Sequence, residues 1–504
     1  MDCDVLIVGG SLGGVAAALR AAEMGSSVML VEQTKMLGGQ LSSQGVSTPD
    51  ENDWIETTGG TASYLAFRRE VRDYYTSRFK LSAEGRAQEY FNPGSCWVSR
   101  LSMEPQVAHD ILSRMLLKLK GVSFLFGMKP VAVEMDGDRA CSVRFEGAND
   151  WDLTLSASYI LDATDTGELL PLAGVEHVIG AESREQTGEP DAPDQPHPDW
   201  IQPFTFPFAL EMRPKGEDHT INPPPDYERM KKIQGYRILD GAMKGMFGDW
   251  GWWSYRRIIA AKNFDDPAYP CDIAMINTGS NDFMGDVYPT GKSDRDAITL
   301  AEGRMASLGY VYWLQTECPR EDNPSRCGYP EFKLRWDLFN MPDGIAPKPY
   351  IRESRRILAL HTIIEQEIVA KDSSGVEWQT GDRAAHYDDS CGIGHYWLDV
   401  HNGPSPEPGR FLDTKPFQIP LGALIPRRVE NLLPACKNLG ATHLTNGAFR
   451  LHPVEWNTGE SAGALAAFCL RTDRTPRQVR ETTPLLREFQ QELQRNGIPL
   501  TWIF

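Results

Sequence analysis

The residues Cys3-Asp4-Val5-Leu6-Ile7-Val8-Gly9-Gly10-Ser11-Leu12-Gly13-Gly14 join an apolar run of strand length to a cluster of glycines. A small-residue segment of helical character follows from Val15 to Met24, and a second short strand, Ser27 to Val31, runs into the acid Glu32. This order of strand, turn, helix, strand and acid is the context in which a glycine cluster binds a dinucleotide. The turn brings backbone N–H groups and a helix N-terminus to a pyrophosphate, and the acid accepts hydrogen bonds from a ribose.

The glycine cluster departs from the usual fingerprint at one position, because Ser11 stands where the second glycine is expected. That glycine normally lets the backbone approach the pyrophosphate, and a serine hydroxyl offers a further bond to a phosphate oxygen. The alternative is a strand–helix–strand unit that binds no nucleotide, but the flanking strands, the helix and Glu32 together favour the dinucleotide. The predicted cofactor contacts in this region are Gly9, Ser11, Leu12, Gly13, Gly14, Glu32 and Gln33.

The overall charge makes some classes of partner unfavourable. The 504 residues carry a net charge of −18 and the pI is near 5.1, so we expect neither nucleic acid nor an anionic membrane to bind. No apolar run reaches about 18 residues, and the amino terminus enters a strand without a leader, which predicts a cytoplasmic protein. Nine cysteines without a paired CxxC spacing predict reduced thiols, with neither a disulfide framework nor a metal site.

Three further blocks have the composition of a flavin site. The paired glycines of Gly38-Gly39-Gln40 let the backbone pass close to a flat, bulky group, although a mobile loop is the alternative interpretation. In Asp162-Ala163-Thr164-Asp165 an apolar strand runs into small residues where a nucleotide or ring can abut. Near the C-terminus, a small-residue helix is predicted to begin at Gly459-Glu460, and its N-terminus can stabilise negative charge on a reduced flavin ring.

These blocks resemble the FAD-dependent oxidoreductase family within the glutathione-reductase superfamily. The matching segments are Gly9 to Gly14, Gly38 to Leu41, Asp162 to Thr164, Tyr350-Ile351-Arg352-Glu353-Ser354-Arg355-Arg356, and Arg450 to Gly463. The resemblance implies FAD as the cofactor, with its pyrophosphate at Gly9 to Gly14, its ribose at Glu32, and its isoalloxazine near Gly38 to Gln44 and the Gly459 helix. The further cofactor contacts are expected at Gly38, Gly39, Gln40, Ser43, Val131, Ala163, Thr164, Asp165, Gly459 and Glu460.

The expected fold is α/β, with a Rossmann-like FAD-binding domain formed by both ends of the chain and a mixed α+β substrate domain. The FAD-binding domain is predicted at residues 1–190 and 411–504, and the aromatic-rich substrate domain at 191–410. Helices are predicted at 60–80, 104–120, 459–470 and 483–496, and strands at 122–126, 130–135, 140–145, 153–155 and 159–164. Only one dinucleotide fingerprint is visible, so a built-in NAD(P)H domain is not expected.

Histidines are the first candidates for a general base. His395, Asp399 and His401 alternate at even spacing, which on a strand places them on one face, where Asp399 could orient either histidine. His443 and His452 are predicted in the loop before the Gly459 helix, where a histidine can take a proton while hydride leaves for the flavin. The alternative for each histidine is a hydrogen bond that only supports the structure. A metal held by two histidines and Asp399 is disfavoured, because neighbours on one strand face rarely converge on an ion.

Arginines, a cysteine and tryptophans are the other candidates. Arg352 and Arg450 could clamp a substrate carboxylate, whereas Arg355 and Arg356 are interpreted as structural ion-pair partners. Cys436 is either a packing thiol or a neighbour of the flavin. The aromatic run from Trp250 to Tyr255 is either core or a wall on which the substrate stacks.

The expected activity is that of a flavin-dependent dehydrogenase or oxidase. It would take hydride from a C–H bond next to oxygen or nitrogen, or desaturate a C–C bond, in a small or medium polar metabolite. O2 or a carrier protein would reoxidise the FAD, and a homo-oligomer is compatible with the sequence. The alternatives are a flavin monooxygenase that uses an external reductant and O2, and a flavin-binding module without turnover.

Overall fold

Seven strands form the largest sheet of the computed structural model, which describes residues 2–238, 242–353 and 355–503. The strands, in chain order, are β1 (Asp2–Val8), β2 (Val28–Glu32), β3 (Val122–Phe126), β4 (Met128–Asp136), β5 (Arg139–Gly147), β6 (Asp152–Asp162), β7 (His177–Val178), β8 (Phe208–Met212), β9 (Arg257–Ile259), β10 (Ile273–Ile276), β11 (Phe332–Leu334), β12 (Arg356–Ile357), β13 (Ser390–Gly394), β14 (Leu398–Val400), β15 (Arg410–Leu412), β16 (Phe417–Pro420) and β17 (Leu432–Pro434). The helices are α1 (Leu12–Glu23), α2 (Ala62–Arg78), α3 (Ala83–Arg86), α4 (Pro105–Leu117), α5 (Leu169–Leu172), α6 (Arg184–Thr187), α7 (Tyr227–Gln234), α8 (Trp252–Tyr255), α9 (Ser293–Thr316), α10 (Glu365–Ile368), α11 (His443–Phe449), α12 (His452–Thr472), α13 (Pro476–Glu481) and α14 (Thr483–Arg495).

The main sheet combines a parallel part and an antiparallel part. Its strand order is β3-β2-β1-β6-β5-β4, and β17 also pairs with β6. β1, β2, β3, β6 and β17 are parallel to one another, whereas β4, β5 and the first half of β6 form an antiparallel meander. The protein therefore has a parallel-rich α/β sheet, and β17 at residues 432–434 returns to it.

The strand β1 is apolar on both faces because both faces are covered. Val5 and Ile7 belong to the larger core cluster, which includes residues of α1, α2, α4 and α12. Leu6 and Val8 belong to a second cluster with residues of the meander. Alternate side chains of a strand point to opposite faces, so a fully covered strand reads as a continuous apolar run. This burial explains why the opening segment predicted a central strand.

A second, four-stranded antiparallel sheet lies in the tryptophan-rich part of the chain. Its order is β11-β8-β10-β9, and the long helix α9 contributes to the aromatic cluster against it. Trp252 and Trp253 are buried in this cluster, which confirms the core interpretation for these two rings, whereas Trp250 is exposed.

Two predictions of secondary structure near the expected flavin contacts were wrong. The strands predicted at 153–155 and 159–164 are one continuous strand, β6, which changes partners from β5 to β1 and β17 along its length. The loop predicted before Gly459 is helical instead: Thr442 caps α11, and α12 begins at His452 with Pro453 in its first turn. Gly459 consequently lies inside α12 rather than at its N-terminus.

Candidate active site

The glycine turn connects β1 to α1 as the sequence predicted. Gly9 has a φ of 106° and lies so close to β6 that a Cβ there would be 2.2 Å from the Ala163 carbonyl oxygen. A Cβ on Gly14 would lie 2.1 Å from the carbonyl oxygen of Gly9. Ser11 caps α1, and its hydroxyl accepts a hydrogen bond of 3.1 Å from the Gly14 amide. Both glycines are thus required for the close approach of helix and strands.

The free amides of this turn fit a pyrophosphate. Across the described residues, the backbone N–H groups of Ser11 and Leu12 have no acceptor in the protein. They lie in the first turn of α1, where the helix dipole favours an anion. An anionic diphosphate group at this position would supply the missing acceptors.

Glu32 ends β2 beside the turn. Its Oε2 accepts a 2.7 Å hydrogen bond from the Gly10 amide, and its Oε1 accepts one of 2.7 Å from the Thr34 amide. Lys348 Nζ lies 3.4 Å from Glu32 Oε1 and 3.2 Å from Asp165 Oδ2. A cavity of about 300 Å³ opens next to these groups, and its lining includes Gln33, Asp165 and Lys348. The cavity therefore lies at the carboxyl ends of β2 and β6, where a nucleotide is expected in a parallel sheet.

The predicted flavin loop packs against α12. Gly38 and Gly39 both have positive φ, and Gln40 Nε2 donates to the Arg450 carbonyl at 2.9 Å and to the carboxylate of Glu455. Glu455 Oε1 in turn accepts from the Gly13 amide at 3.1 Å. The loop, the glycine turn and the start of α12 thus meet at one buried point.

Lys437 is a buried cation at this point that the sequence did not single out. Its Nζ lies 3.5 Å from Asp165 Oδ1 and 3.7 Å from Glu455 Oε2. Burial acts to lower the pKa of Lys437, but the carboxylates of Glu455 and Asp165 give a net rise. Cys436 is itself fully buried, and burial raises the pKa of its thiol well above the usual value. The lysine is therefore charged at neutral pH, and the thiol is not.

The remaining predicted cofactor contacts fall into two groups. Ala163, Thr164 and Asp165 follow β6 at the edge of the glycine turn, Ser43 lies in the loop after Gly39, and Val131 lies at an irregularity in the β4–β5 pairing. Gly459 and Glu460, by contrast, have packing roles. A Cβ on Gly459 would lie 2.0 Å from the Gly13 carbonyl oxygen, and Glu460 forms a buried ion pair with Arg20 of α1. These two residues join α12 to α1 rather than face a ligand.

His443 does not fit the predicted role of a base. Its Nδ1 lies 2.9 Å from Glu353 Oε1 and its Nε2 lies 2.8 Å from Glu407 Oε2. Burial acts to lower the pKa of His443, but the two carboxylates outweigh it and raise the pKa to about 10. At neutral pH the ring is therefore a cation, and neither nitrogen has a free lone pair.

His452 and His395 do not fit the role either. His452 Nδ1 accepts from the Asp50 amide at 3.0 Å, its Nε2 lies 3.2 Å from the Val46 carbonyl, and burial lowers its pKa to about 4. Both nitrogens are thus used by the backbone. The predicted continuous strand through 395–401 is broken between β13 and β14, so His395 is not on one face with Asp399. It lies against Trp54 instead, with ring centroids 5.3 Å apart.

Asp399 does orient His401, within a group of six residues that we call the junction cluster. Its members are Asp282, Tyr350, Arg352, Asp399, His401 and Arg450. His401 lies between two carboxylates, with Nδ1 2.7 Å from Asp282 Oδ2 and Nε2 3.2 Å from Asp399 Oδ2. Burial and Arg352 act to lower the pKa of His401, but the two carboxylates give a net rise. Its two ring nitrogens are both engaged, so it is not free to accept a substrate proton.

The two predicted arginine clamps are already occupied by carboxylates of the chain. Arg352 Nη2 lies 2.7 Å from Asp282 Oδ1, and Arg450 Nη2 lies 3.0 Å from Asp399 Oδ2. Although burial acts to raise the pKa of both aspartates, the neighbouring cations hold each pKa below its usual value. Neither guanidinium is therefore free to bind a substrate carboxylate as predicted.

Tyr350 is at the centre of the junction cluster. Its hydroxyl accepts a 2.7 Å hydrogen bond from Arg450 Nη1, and the guanidinium of Arg352 lies 5.0 Å from the ring centroid. The backbone of the same segment joins two parts of the fold: Tyr350 N donates to Thr205 O at 2.7 Å, and Lys348 N donates to Ser43 O at 3.0 Å. The phenol is thus fixed between the flavin loop and the second sheet.

Other members of the 350–356 block have structural partners. Arg356 pairs with Glu353 and Glu182, and Arg355 Nη1 donates to the Thr166 carbonyl at 2.8 Å, in line with the predicted structural roles. Ser354 lies outside the described residues.

A third buried pair, Asp50–Arg256, borders the junction cluster. Arg256 Nη2 lies 3.0 Å from Asp50 Oδ1, Nη1 donates to the Thr48 carbonyl at 2.9 Å, and Nε donates to the Asn277 carbonyl at 3.1 Å. The pair connects two parts of the chain: Asp50 lies in the loop that follows the predicted flavin contacts, and Arg256 lies next to β9 of the second sheet. No local sequence pattern predicts this pair, because its two members are 206 residues apart.

Several buried polar atoms of this region have no hydrogen-bond partner among the described residues. Within the described part of the chain they include Gln40 Oε1, Ser47 Oγ, Gln202 Nε2, Asn277 Oδ1, Arg352 Nε, Asn446 Oδ1 and Arg450 Nε. Hydrogen bonds connect their residues: His401 N donates to Gln202 Oε1, and Asn446 Nδ2 donates to the Arg352 carbonyl. Each such atom costs about 1–3 kcal/mol unless a ligand or water pairs with it. The junction is therefore suited to polar ligands.

A metal centre has no support in the described residues, where no three histidine, cysteine, aspartate or glutamate side chains are placed to hold an ion. Among the same residues, no helix is long and apolar enough to cross a membrane.

The glycine turn and the acid have the arrangement of a dinucleotide-binding site. Residues 4–493 match the model of the family described as FAD dependent oxidoreductase. The chain therefore belongs to the FAD-dependent oxidoreductase family, and its cofactor is FAD.

Several solved structures are similar to parts of the chain. They include OxyS anhydrotetracycline hydroxylase from Streptomyces rimosus (15% identity, 45% of this chain and 39% of that chain, TM-score 0.27). The myxobacterial chondrochloren halogenase CndH is similar at 17% identity over 42% of this chain and 43% of that chain, with a TM-score of 0.24. L-proline dehydrogenase from P. horikoshii is similar at 14% identity over 36% of this chain and 24% of that chain, with a TM-score of 0.20. The matched regions cover less than half of each of these chains. No curated protein matches the sequence.

Proposed function

We propose that the protein is an FAD-dependent dehydrogenase or oxidase that acts on a small or medium polar metabolite. The observation that carries the proposal is the set of unpartnered buried polar atoms that includes Arg352 Nε and Arg450 Nε, whose guanidinium groups adjoin Tyr350. A pocket with a few convergent polar groups beside a cofactor is the usual form of a substrate site. FAD, when bound, supplies the acceptor for a hydride from the substrate carbon.

The residues present fit the cofactor. The free amides of Ser11 and Leu12 would bind its diphosphate, and Glu32 with Gln33 would bind its ribose. The loop from Gly38 to Ser43 would border its ring, with Lys437 buried close by. The approach of α12 to this loop adds the positive end of a helix dipole, which stabilises negative charge.

Tyr350 takes the place of the predicted histidine as the group that moves the substrate proton. Its oxygen is held by Arg450 at 2.7 Å, and Arg352 lies over its ring. Oxidation of a C–H bond next to a hydroxyl releases the hydroxyl proton as hydride leaves, and Tyr350 in its phenolate form would receive that proton and become the neutral phenol. The adjacent guanidinium groups stabilise negative charge on that oxygen.

Domain bounds, superfamily, location, reoxidation and oligomeric state also belong to the proposal. The division into residues 1–190, 191–410 and 411–504, the relationship to the glutathione-reductase superfamily and the cytoplasmic location all stay predictions. So do reoxidation by O2 or a carrier protein, and homo-oligomer formation. A main sheet built from residues 2–162 and 432–434 supports the discontinuous domain.

The test is an anaerobic reduction experiment on purified yellow holoenzyme. A panel of alcohols, sugars, hydroxy acids and amino acids is added without NAD(P)H, and absorbance is followed near the flavin band. Bleaching by a substrate alone supports the dehydrogenase or oxidase. Bleaching that requires NAD(P)H contradicts it and identifies the monooxygenase instead. Flavin that stays oxidised under both conditions contradicts any turnover of this kind.

A further inference from the structure

The carboxylate of Asp165 lies between two lysines at the edge of the glycine turn. Its Oδ2 is 3.2 Å from Lys348 Nζ, and its Oδ1 is 3.5 Å from Lys437 Nζ. Lys437 is fully buried, whereas the side chain of Lys348 is 15% exposed and lines the cavity of about 300 Å³. Burial acts to raise the pKa of Asp165, but the two lysines hold it below its usual value. The charged carboxylate therefore fixes both ammonium groups at this edge.

Each lysine also faces a carboxylate that is hydrogen-bonded to the glycine turn. For the partly exposed lysine it is Glu32, 3.4 Å from the Nζ atom, whose other oxygen accepts from the Gly10 amide at 2.7 Å. For the buried lysine it is Glu455, 3.7 Å from the Nζ atom, whose other oxygen accepts from the Gly13 amide at 3.1 Å. The seven residues form a closed series of contacts, which we call the turn ring: Gly10, Glu32, Lys348, Asp165, Lys437, Glu455 and Gly13.

The two amides assigned to the diphosphate close the turn ring through the chain. Ser11 and Leu12 directly precede Gly13, and among the described residues their N–H groups have no acceptor. The segment that carries Lys437 packs on the same turn, because a Cβ on Gly13 would lie 1.9 Å from the Ala435 carbonyl oxygen. The ammonium groups are thus held beside the amides that lack an acceptor.

Both ammonium groups have hydrogen-bonding capacity left. An ammonium group has three N–H donors, and in the part of the chain that the structure describes each of these two contacts two carboxylates. Three of these contacts, at 3.4, 3.5 and 3.7 Å, are longer than the usual N–H···O distance of about 2.7–3.2 Å. A further oxygen acceptor can therefore bind to either lysine without displacing a carboxylate.

The charge of the turn ring makes its lysines necessary for an anion. Without them, a diphosphate at the free amides would face three carboxylates. Like charges repel strongly where little water screens them, and backbone amides at a helix N-terminus carry only partial positive charge. A diphosphate at this position therefore requires the ammonium groups to face it.

We propose that Lys348 and Lys437 bind the FAD diphosphate together with the free amides of the glycine turn. The proposal rests on the position given to the diphosphate in the proposed function, and it adds two cationic residues that no sequence pattern indicated. Charge-assisted hydrogen bonds to phosphate are about twice as strong as neutral ones. The two lysines therefore contribute to FAD affinity whichever substrate reduces the flavin.

Release of FAD from purified holoenzyme tests the two lysines. The holoenzyme is diluted serially, the fluorescence of released FAD gives the dissociation constant, and phosphorus NMR reports the environment of the bound diphosphate. Lys348→Met and Lys437→Met should each weaken FAD binding by about 10- to 100-fold, which is the range of a hydrogen bond to a charged group. Both should also shift the phosphorus resonances. Lys348→Arg retains a cation and should bind FAD more tightly than Lys348→Met.

Two controls separate a diphosphate contact from a general effect of charge. Lys118→Met removes a lysine that is 63% exposed and lies 3.0 Å from Glu70, and it should leave FAD binding unchanged. Lys437→Met combined with Glu455→Gln also removes the carboxylate that the lost lysine would leave unpaired. This double variant should still bind FAD more weakly than the wild type, because the phosphate still lacks its cation.

The contradicting outcomes are specific. Wild-type FAD affinity in either methionine variant would overturn the proposal, as would wild-type affinity in the double variant. Weaker binding with unshifted phosphorus resonances would also overturn it, because the lysine would then act away from the phosphates. If thermal melting shows that Lys437→Met does not fold, Lys348→Met decides. No substrate is present in these measurements, so their result is separate from the anaerobic bleaching result.

Discussion

Tyr350 combines two roles. Its hydroxyl oxygen is the group proposed to receive the substrate proton, and its backbone connects two parts of the fold. Its hydroxyl accepts from Arg450, and its backbone pairs with Thr205 of the segment before the second sheet. His401, His443 and His452 have both ring nitrogens engaged. His395 has an unpartnered Nδ1, but its ring lies against Trp54 and is not a member of the junction cluster. We therefore assign the proposed proton transfer to the Tyr350 oxygen.

Replacing Tyr350 by phenylalanine should preserve the flavin but slow its reduction. The expected loss is about 10²- to 10⁴-fold in the anaerobic reduction rate, because general acid–base catalysis contributes about this factor. Stopped-flow absorbance with the best substrate measures the rate, and the flavin-to-protein ratio verifies FAD binding. Tyr159→Phe is the matched control, since its hydroxyl lies 3.5 Å from the Arg474 carbonyl outside the site. An unchanged rate in Tyr350→Phe would remove the phenol from the mechanism.

Gly14 decides whether FAD can bind. A Cβ there would lie 2.1 Å from the Gly9 carbonyl oxygen and 2.9 Å from the Ala163 Cβ, so Gly14→Val should displace α1 from the strands and give colourless protein. The absorbance ratio of flavin to protein is the measurement. Gly381→Val is the control, because its Cβ would meet nothing within 4 Å. Fully loaded Gly14→Val protein would contradict the assignment of the diphosphate site.

Single residues of the glycine turn were predictable, whereas the junction cluster was not. Gly9, Gly14 and Glu32 lie within one short stretch, and the chemistry of that stretch depends on local spacing. Asp282 and His401 are 119 residues apart, so no local pattern brings them together. The sequence pointed to Arg352, Arg450 and Asp399 as candidate site residues. It pointed neither to Asp282 nor to the pairing of the two arginines with aspartates.

At the scale of elements, α11 is fixed through its first residue. His443 is held between Glu353 and Glu407, and its pKa is raised to about 10 from a usual value near 6.5. A group whose pKa is raised by folding stabilises the folded protein fully when the pH is below the pKa of the group in the unfolded chain. This stabilisation is lost as the pH rises through the pKa of the group in the folded protein. The stabilisation from His443 should therefore be complete below about pH 6.5 and disappear towards pH 10.

The prediction is tested by thermal melting of the wild type and His443→Gln between pH 6 and about pH 10. The difference in Tm between the two proteins should be largest at the acidic end and shrink as the pH approaches 10. His386→Gln is the control, because its side chain is 75% exposed, and its Tm should follow the wild type at every pH. A difference that stays constant across the range would contradict the charged state of His443.

Elements with clear periodicity were predicted, and those stabilised by tertiary contacts were not. The helix predicted at 60–80 is α2 and that at 104–120 is α4, because each has an apolar stripe at helical spacing. The start of α12 was missed because His452, Asn457 and Gly459 resemble a loop. Gly459 packs on α1, Asn457 on β13 and His452 on the loop at residues 46–50. This packing overrides their weak helix propensity.

At the scale of the whole molecule, the chain returns to its first sheet after forming the second one. The strand β17 adds to β6 beside the glycine turn, and α12 then packs on α1. This path places the second sheet next to the flavin loop, so the proposed substrate site would form where three distant parts of the chain meet. The composition indicated an aromatic-rich middle region. The contacts that would make this region a site join residues far apart in the chain, so no local sequence pattern predicts them.

The most direct measurement of the central claim is the rate of anaerobic flavin reduction by a substrate deuterated at the reacting carbon. Hydride transfer from substrate to FAD breaks that C–H bond, so the account predicts reduction without NAD(P)H and a slower rate with deuterium. Identical rates would show that breaking this bond does not limit reduction. A flavin that remains oxidised until NAD(P)H is added would contradict the account.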